Sequence, residues 1–286
     1  MRYEAPTSFD QAVALLTREP GEARVLAGGT DLLVQMRTDI VDPILVVDIK
    51  GIAETRQITE EGGGFRVGAA VTGAELKEHG KLKSVWPGVV EAANLIGSTQ
   101  VQGRATMGGN LCNGSPAADS VPALIAAGAK ATIVGPKGRR DVPVEDVMLA
   151  PRKLSLAKGE IIASFLLPPK SGKTADAYLR FIPRTEMDIA VVGCGVCLTL
   201  DAKGVCTAAR VSLGAVAPRP LLVAPAAAAI IGTTLDDAAM KKLDAAAQAA
   251  CQPIDDKRGT KEYRIKVAGV LARRTAQIAL ERARKN

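Results

Sequence analysis

A glycine-rich segment, Thr106–Asn110, constrains the fold of this chain more than any other stretch. It continues to Asp119 with small, amide and hydroxyl side chains and almost no apolar periodicity. The pattern predicts an ordered loop, because a core helix or strand needs a regular apolar face. We expect Gly108 and Gly109 to adopt φ > 0 and to bring bare peptide N–H groups against a ligand. The natural ligand of such a loop is an anion.

A similar segment, Gly28–Asp31, lies upstream and is called the first glycine segment; Thr106–Asn110 is called the second. The apolar stretch Arg24–Ala27 predicts a strand, Gly28–Asp31 a turn, and Leu32–Arg37 the start of a helix capped by Thr30 or Asp31. Unpaired N–H groups and the positive end of a helix dipole converge at such a place, which favours phosphate. The two segments could hold a diphosphate between them.

Two common phosphate-binding motifs are excluded. No G-x-G-x-x-G follows a strand, and neither Gly80-Lys81 nor Gly172-Lys173 has a glycine five positions before it. Either glycine segment alone would be most simply a tight turn. The pair together favours a binding site.

Five stretches of the chain resemble one family, the FAD-binding medium subunits of the molybdenum hydroxylases, which include aerobic carbon monoxide dehydrogenase and xanthine dehydrogenase. The N-terminal ones are Val25–Leu33, Thr106–Asn110 and Ser115–Asp119, and the later ones are Arg184–Ala190 and Asp255–Arg264. The resemblance covers nearly the whole chain. It implies an α+β flavoprotein whose two-part FAD-binding domain is of the vanillyl-alcohol-oxidase (PCMH) type. A C-terminal domain of antiparallel sheet and helices would follow.

The resemblance also implies which residues contact FAD. The N–H groups of the two glycine segments would bind the diphosphate, and Thr30 and Thr106 would donate through their hydroxyls. No residue of this chain is expected to be catalytic or to bind a metal. The implied cofactor-binding residues are Val25, Leu26, Ala27, Gly28, Gly29, Thr30, Asp31, Leu32, Ile96, Thr106, Met107, Gly108, Gly109, Asn110, Asp119, Ile162 and Arg180.

Four of these implied contacts would be made by side chains. Ile96 and Ile162 would sandwich the isoalloxazine, and Arg180 would favour the reduced anionic ring. Asp119 suits ribose or another hydroxyl donor, but it could equally be the N-cap of a helix from Ser120 to Ala127. Ile189 stands where an aromatic residue often shields the flavin in relatives.

Partners follow from the same resemblance. A large subunit would hold molybdopterin and oxidise the substrate, and a small subunit would relay electrons through two [2Fe-2S] clusters to FAD. The electrons would then leave to an external acceptor, and the assembly would be a dimer of heterotrimers. One alternative is a stand-alone FAD-dependent oxidoreductase of similar fold, which would need an acid/base group beside the flavin. Another is a basic nucleic-acid-binding module, which a yellow preparation would exclude.

The composition of the chain bears on whether it binds nucleic acid or spans a membrane. The formal charge is +7, yet only 3% of residues are aromatic, which leaves little for base stacking. An acidic partner subunit explains the charge as well as nucleic acid does. No apolar run reaches the roughly 18 residues of a membrane span, and the N-terminus lacks a signal-peptide core, so we expect a cytoplasmic protein.

The cysteines and the single histidine do not suggest chemistry of their own. Five scattered cysteines do not form a disulfide framework. Cys194 and Cys197 lie within a predicted strand, where positions three apart point to opposite faces. His79 is most simply a solvated helix end, and no serine lies in a G-x-S-x-G elbow.

The chain divides by pattern into three parts: 1–54, 55–172 and 175–286, with a linker around Pro168–Thr174. We expect strands at Thr55–Thr59 and Asp188–Leu200. Helices are predicted at Pro87–Ile96 and Tyr263–Arg284.

Overall fold

The N-terminal part of the chain forms a small parallel sheet. The computed structural model describes residues 1–286, and this part contains β1 (Arg2–Glu4), α1 (Phe9–Arg18), β2 (Ala23–Leu26), α2 (Leu32–Arg37) and β3 (Leu45–Asp48). The strand order is β1-β3-β2, with both pairings parallel. The predicted strand, glycine turn and helix are therefore present, with Gly28–Asp31 at the end of the edge strand β2.

The middle part is an antiparallel sheet covered by short helices. Its strands are β4 (Ile58–Glu61), β5 (Gly64–Gly68), β6 (Lys130–Gly135), β7 (Gly138–Pro143), β8 (Met148–Ala150), β9 (Lys153–Leu154) and β10 (Ile161–Leu167). Its helices are α3 (Gly73–Glu78), α4 (Gly80–Val85), α5 (Pro87–Ala93), α6 (Met107–Cys112) and α7 (Ser120–Ala126). The large sheet has the order β4-β5-β10-β6-β7, and β8 and β9 form a separate hairpin.

The C-terminal part is an antiparallel meander packed against a long helix. It contains β11 (Lys173–Phe181), β12 (Val192–Leu200), β13 (Cys206–Gly214), β14 (Leu221–Leu222), α8 (Ala224–Ala228), α9 (Asp237–Ala249) and α10 (Lys261–Lys285). The buried face of α10 is lined mostly by alanines rather than by the larger Val267 and Ile278, which are only half-buried. Small side chains let the helix lie close to β11 and β12.

One side chain on each face of β12 shows how the parts meet. Cys194 lies in the core beneath α10, whereas Cys197 packs against the core of the middle part. The prediction that these two cysteines point to opposite faces is confirmed. The sheet β11–β14 thus lies between α10 on one side and α5 and α7 on the other.

Several expected elements are shorter or different. Residues 53–56 form a 3-10 turn, so the strand expected at Thr55–Thr59 begins only at Ile58. The helix from Pro87 ends at Ala93, and the strand expected from Asp188 begins at Val192. His79 lies at the end of α3, as predicted, but it is half-buried, and its Nδ1 accepts a hydrogen bond from the N–H of Leu82 and so caps α4.

Candidate functional site

A cavity of about 550 Å³ lies between the first glycine segment and α6. This volume is within the range of small-molecule and cofactor sites. Thirteen of the residues predicted from sequence line it: Val25, Ala27, Gly28, Gly29, Thr30, Asp31, Leu32, Ile96, Thr106, Gly108, Gly109, Asn110 and Ile162. The structure therefore brings the two glycine segments, 78 positions apart at Gly28 and Thr106, together around one cavity.

The first glycine segment presents a row of free donors. The N–H groups of Gly28, Gly29, Thr30 and Asp31 have no acceptor within the protein. Gly29 has φ +81°, a backbone conformation that side chains strongly disfavour. Asp31 occupies the N-cap position of α2, one of the two positions predicted, but its side chain makes no capping hydrogen bond. The N–H of Leu33, one donor that such a cap would satisfy, donates instead to the carbonyl oxygen of Gly29 at 3.1 Å.

The second segment is helical, which corrects the expectation of a loop. Thr106 caps α6, and its Oγ1 accepts a hydrogen bond from the N–H of Gly109 at 2.9 Å. Gly108 and Gly109 consequently do not have φ > 0. Burial of Met107 and Leu111 in the middle core stabilises this turn of helix despite its two glycines.

The two glycines of α6 differ in how much space a side chain would have at each position. A Cβ on Gly108 would lie 2.4 Å from the carbonyl oxygen of Ala69, so this glycine lets α6 pack against the chain after β5. A Cβ on Gly109 would meet only Thr106 Oγ1, at 3.1 Å. Both glycines border the cavity, but Gly109 is the one whose open side leaves room for a ligand.

Four predicted residues do not line the cavity: Leu26, Met107, Asp119 and Arg180. Leu26 and Met107 are buried within the protein. Asp119 and Arg180 are nearly buried and pair with each other, with 2.8 Å between Asp119 Oδ2 and Arg180 Nη1. The roles predicted for this pair toward a ligand stay predictions.

Asp119 is also not the side-chain cap of α7. Its Oδ1 accepts a hydrogen bond from Tyr178 OH at 3.2 Å, and the cap is made instead by Asn110, whose Oδ1 accepts from the N–H of Ser120 at 3.0 Å. Burial raises the pKa of Asp119 to about 6, against the opposing effects of Arg180 and Tyr178. The Asp119 carboxyl, with its raised pKa, thus lies where β11 packs against the middle part of the chain.

The aliphatic side chains fit the prediction in part. Ile96 and Ile162 both line the cavity, as expected of residues that flank a planar ring. Ile189, in contrast, is 51% exposed and is not part of the cavity wall. It supplies no shielding within the cavity.

Sequence reasoning missed several wall residues. Gln35 Nε2 donates to Asn113 Oδ1 at 2.8 Å and so joins α2 to the residue after α6. Arg152, at the tip of the β8–β9 hairpin, has φ +59° and no salt-bridge partner. No motif or spacing marks these positions. The other missed wall residues include Arg24, Ile40, Val41, Cys112, Leu154, Leu156, Glu160 and Ile161.

The chemistry of this wall fits a large anionic cofactor. The free N–H groups suit phosphate oxygens, the aliphatic residues suit an aromatic ring, and Arg152 adds an unpaired positive charge. No group of three or more His, Cys, Asp or Glu side chains is assembled anywhere in the structure as a metal site would require. The residues present therefore fit FAD.

Comparisons with known proteins decide the family. A family profile described as FAD binding domain in molybdopterin dehydrogenase matches residues 1–170, and one described as CO dehydrogenase flavoprotein C-terminal domain matches residues 177–279. The chain belongs to the FAD-binding medium subunits of the molybdenum hydroxylases. The family resemblance is therefore confirmed.

Relatives of this medium subunit match it over almost its full length. It is 34% identical to the carbon monoxide dehydrogenase medium chain of Afipia carboxidovorans, covering 99% of this chain and 97% of the relative. It is 31% identical to the xanthine dehydrogenase FAD-binding subunit of Escherichia coli O157:H7, covering 98% and 96%. Its fold superposes on reconstituted CO dehydrogenase from Oligotropha carboxidovorans with a TM-score of 0.94 at 35% identity, covering 99% and 98%.

These findings confirm the main predictions made from sequence. The chain has the predicted α+β fold and is an oxidoreductase subunit of the FAD-dependent type. Its relatives are medium chains or FAD-binding subunits of multi-subunit dehydrogenases. None of its helices is both long enough and apolar enough to span a membrane.

Proposed function

We propose that this medium subunit carries FAD in the cavity between Gly28–Asp31 and α6, as the electron-transfer subunit of a heterotrimeric molybdenum hydroxylase. The observation that carries the proposal is the row of N–H groups without acceptors along one wall of that cavity. When bound, FAD would take electrons from the [2Fe-2S] clusters of a small subunit and release them to an external acceptor.

The residues of this chain would bind and orient the cofactor. N–H groups of Gly28–Asp31 would donate to the diphosphate from one wall, and the first turn of α6 would do so from the other. Ile96 and Ile162 would contact apolar rings. Arg180 pairs with Asp119 and does not line the cavity, so its effect on negative charge in a reduced ring would be long-range and partly offset by the carboxylate.

The division of the chain and its assembly are part of the same proposal. We propose that 1–54 and 55–172 are the two FAD-binding parts and that 175–286 is a separate C-terminal domain. The support is that the four sheets each fall within one of these ranges, except that β11 begins at Lys173. A large subunit would hold molybdopterin and oxidise the substrate, and two heterotrimers would associate. The predicted cytoplasmic location stays a prediction.

The direct test compares the lone chain with the complex. Purified alone, the chain should be yellow, accept electrons from dithionite and pass them to ferricyanide. It should not have its flavin reduced by carbon monoxide, xanthine or nicotinate, substrates named in the enzymes of its relatives. Co-expressed with large and small subunits from neighbouring genes, it should elute with them in gel filtration. A colourless lone chain would contradict FAD binding, and flavin bleaching by one of these substrates in the lone chain would favour a stand-alone oxidoreductase.

A further inference from the structure

Lys50 is in contact with the first glycine segment although it does not line the cavity. Its Nζ donates to the carbonyl oxygen of Ala27 at 2.9 Å and lies 2.7 Å from both carboxylate oxygens of Asp48. Lys50 follows β3 directly, in a one-turn 3-10 helix. Because Asp48 pairs in register with Leu26 of β2, the lysine is placed beside the point where β2 ends.

The contact to Ala27 replaces a missing strand neighbour. β2 is an edge strand, and its pairing with β3 stops at Leu26. Beyond that point the carbonyl of Ala27 receives no other hydrogen bond from the protein. The ammonium group therefore holds the carbonyl of the first peptide after the strand, in addition to the packing of Gly28 against Arg104.

Fixing this carbonyl also fixes the donor of the next residue. The peptide between Ala27 and Gly28 is trans, so its C=O and N–H point in opposite directions. With the carbonyl held toward Lys50, the N–H of Gly28 points away from Lys50. Gly28 borders the cavity and Lys50 does not, so a donor that points away from Lys50 is the arrangement that would serve a ligand in the cavity.

The lysine is itself held in place. Asp48 also accepts hydrogen bonds from the N–H of Lys50 at 2.9 Å and from Tyr3 OH at 2.6 Å. The side chains of Lys50 and Asp48 are only 20% and 9% exposed. Because Asp48 neutralises the ammonium charge, Lys50 acts on the segment through geometry rather than through net attraction for an anion.

We propose that Lys50 is a positioning residue for the diphosphate of the cofactor: it clamps the Ala27 carbonyl and so aims the free N–H groups of Gly28–Asp31 into the cavity. The inference rests on the proposed FAD binding. If the Lys50–Asp48 pair had only a structural role, it would stabilise the sheet. Its removal would then leave the affinity of the folded protein for FAD unchanged.

Three variants separate these two roles. Lys50→Met removes the clamp and leaves Asp48 unpaired, so it should lower both the thermal midpoint of the apoprotein and its affinity for FAD. Asp48→Asn keeps a lysine that can reach Ala27, so its FAD affinity should stay within about 3-fold of wild type, which is less than half of the energy of a charged hydrogen bond. The double variant Asp48→Asn/Lys50→Met removes the clamp without an unpaired charge. Its thermal midpoint should return most of the way from the Lys50→Met value to the wild-type value. Its affinity for FAD should still be about 10- to 100-fold weaker than that of wild type, as expected for loss of one charged hydrogen bond.

Ligands that carry or lack the phosphates of FAD provide a second readout, because they show which part of the cofactor the variant binds less well. Titration calorimetry of the full-length apoprotein with FAD, ADP and riboflavin should show the same loss for FAD and ADP in the double variant and none for riboflavin. Lys81→Met, which breaks an exposed lysine–glutamate pair with Glu60, is the matched control and should bind all three as wild type does. Wild-type FAD affinity in the double variant, or an equal loss for riboflavin, would overturn the positioning role. Failure of the wild-type apoprotein to bind FAD would instead contradict the proposed function itself.

Discussion

Gly28 and Arg104 meet backbone to backbone: a Cβ built on Gly28 would lie 1.9 Å from the carbonyl oxygen of Arg104. Arg104 stands two residues before Thr106, the cap of α6. This contact joins the first glycine segment to the residues that lead into α6. The glycine at position 28 is therefore required by the protein's own packing, whether or not a cofactor is bound.

Gly28→Ala should destabilise the whole chain. The added methyl group meets a carbonyl on a neighbouring segment rather than a flexible side chain, so the backbone must move, at a cost of about 3 kcal/mol. Urea unfolding measures the loss. Gly80→Ala is the control, because a Cβ there meets nothing within 4 Å. Equal stability of the two variants would contradict the close contact at Gly28.

The Asp119 carboxyl should make stability depend on pH. Burial raises its pKa from the ordinary 3.8 to about 6, so the folded protein binds this proton more tightly than the unfolded chain does. Its contribution is therefore fully present below about pH 4 and is lost as pH rises through about 6, by up to roughly 3 kcal/mol. Asp119→Asn removes the titration but leaves Arg180 without its partner. The free energy of unfolding of wild type minus that of the variant should fall between pH 4 and pH 7, and parallel pH curves would contradict the raised pKa.

FAD should be bound without a covalent bond. Cys112 is the one cysteine on the cavity wall, and histidine is absent from it. The Cys112 side chain is exposed at the cavity, yet desolvation by the surrounding protein raises the pKa of its thiol to about 12, so it is a poor nucleophile. Acid precipitation should leave all flavin in the supernatant for wild type and Cys112→Ser alike. Yellow colour in the wild-type pellet that disappears in Cys112→Ser would show a thioether bond.

Lys170→Met should lower the free energy of unfolding without changing how much FAD the folded protein binds. Lys170 Nζ lies 2.7 Å from Asp176 Oδ1, and Asp176 Oδ2 accepts from the N–H of Val89 in the first turn of α5. Both side chains are nearly buried. Removing the lysine leaves a buried carboxylate without its partner, at a cost of about 3–5 kcal/mol.

The control for this change is Lys173→Met, since Lys173 makes no salt bridge and is only half-buried. Urea unfolding should show a large loss for Lys170→Met and a small one for Lys173→Met. FAD content of the folded fraction should be unchanged in both. Similar losses for the two variants would show that the buried pair does not stabilise the contact between the middle and C-terminal parts.

Local patterns predicted much of the site, while long-range contacts could not be predicted. The strand, glycine turn and helix around Gly28–Asp31 follow from apolar spacing and glycine alone. The helix at Thr106 was missed because two glycines in one turn hide it, and only burial of Met107 and Leu111 reveals why it forms. Its capping threonine was nevertheless a visible signal.

The contacts made by side chains far apart in sequence had no local signal. Asp119 and Arg180 are separated by 61 positions, and Lys50 and Ala27 by 23. Whether Asp119 capped a helix or paired with a cation depended on where β11 lies, which the residues around Asp119 do not encode. The left-handed backbone at Arg152 and the packing of this hairpin tip against Gly114 likewise have no local signal.

The flavin content of Gly109→Val tests most directly the claim that FAD lies between the two glycine segments. Gly109 is helical, so valine is sterically allowed by the backbone, and its side chain would extend into the cavity. Gly80→Val, at a position with open space around it, is the matched control. We expect equimolar FAD in wild type and in Gly80→Val. Gly109→Val should be folded, as judged by circular dichroism, and should contain no flavin. A folded Gly109→Val protein with normal flavin content would contradict the claim.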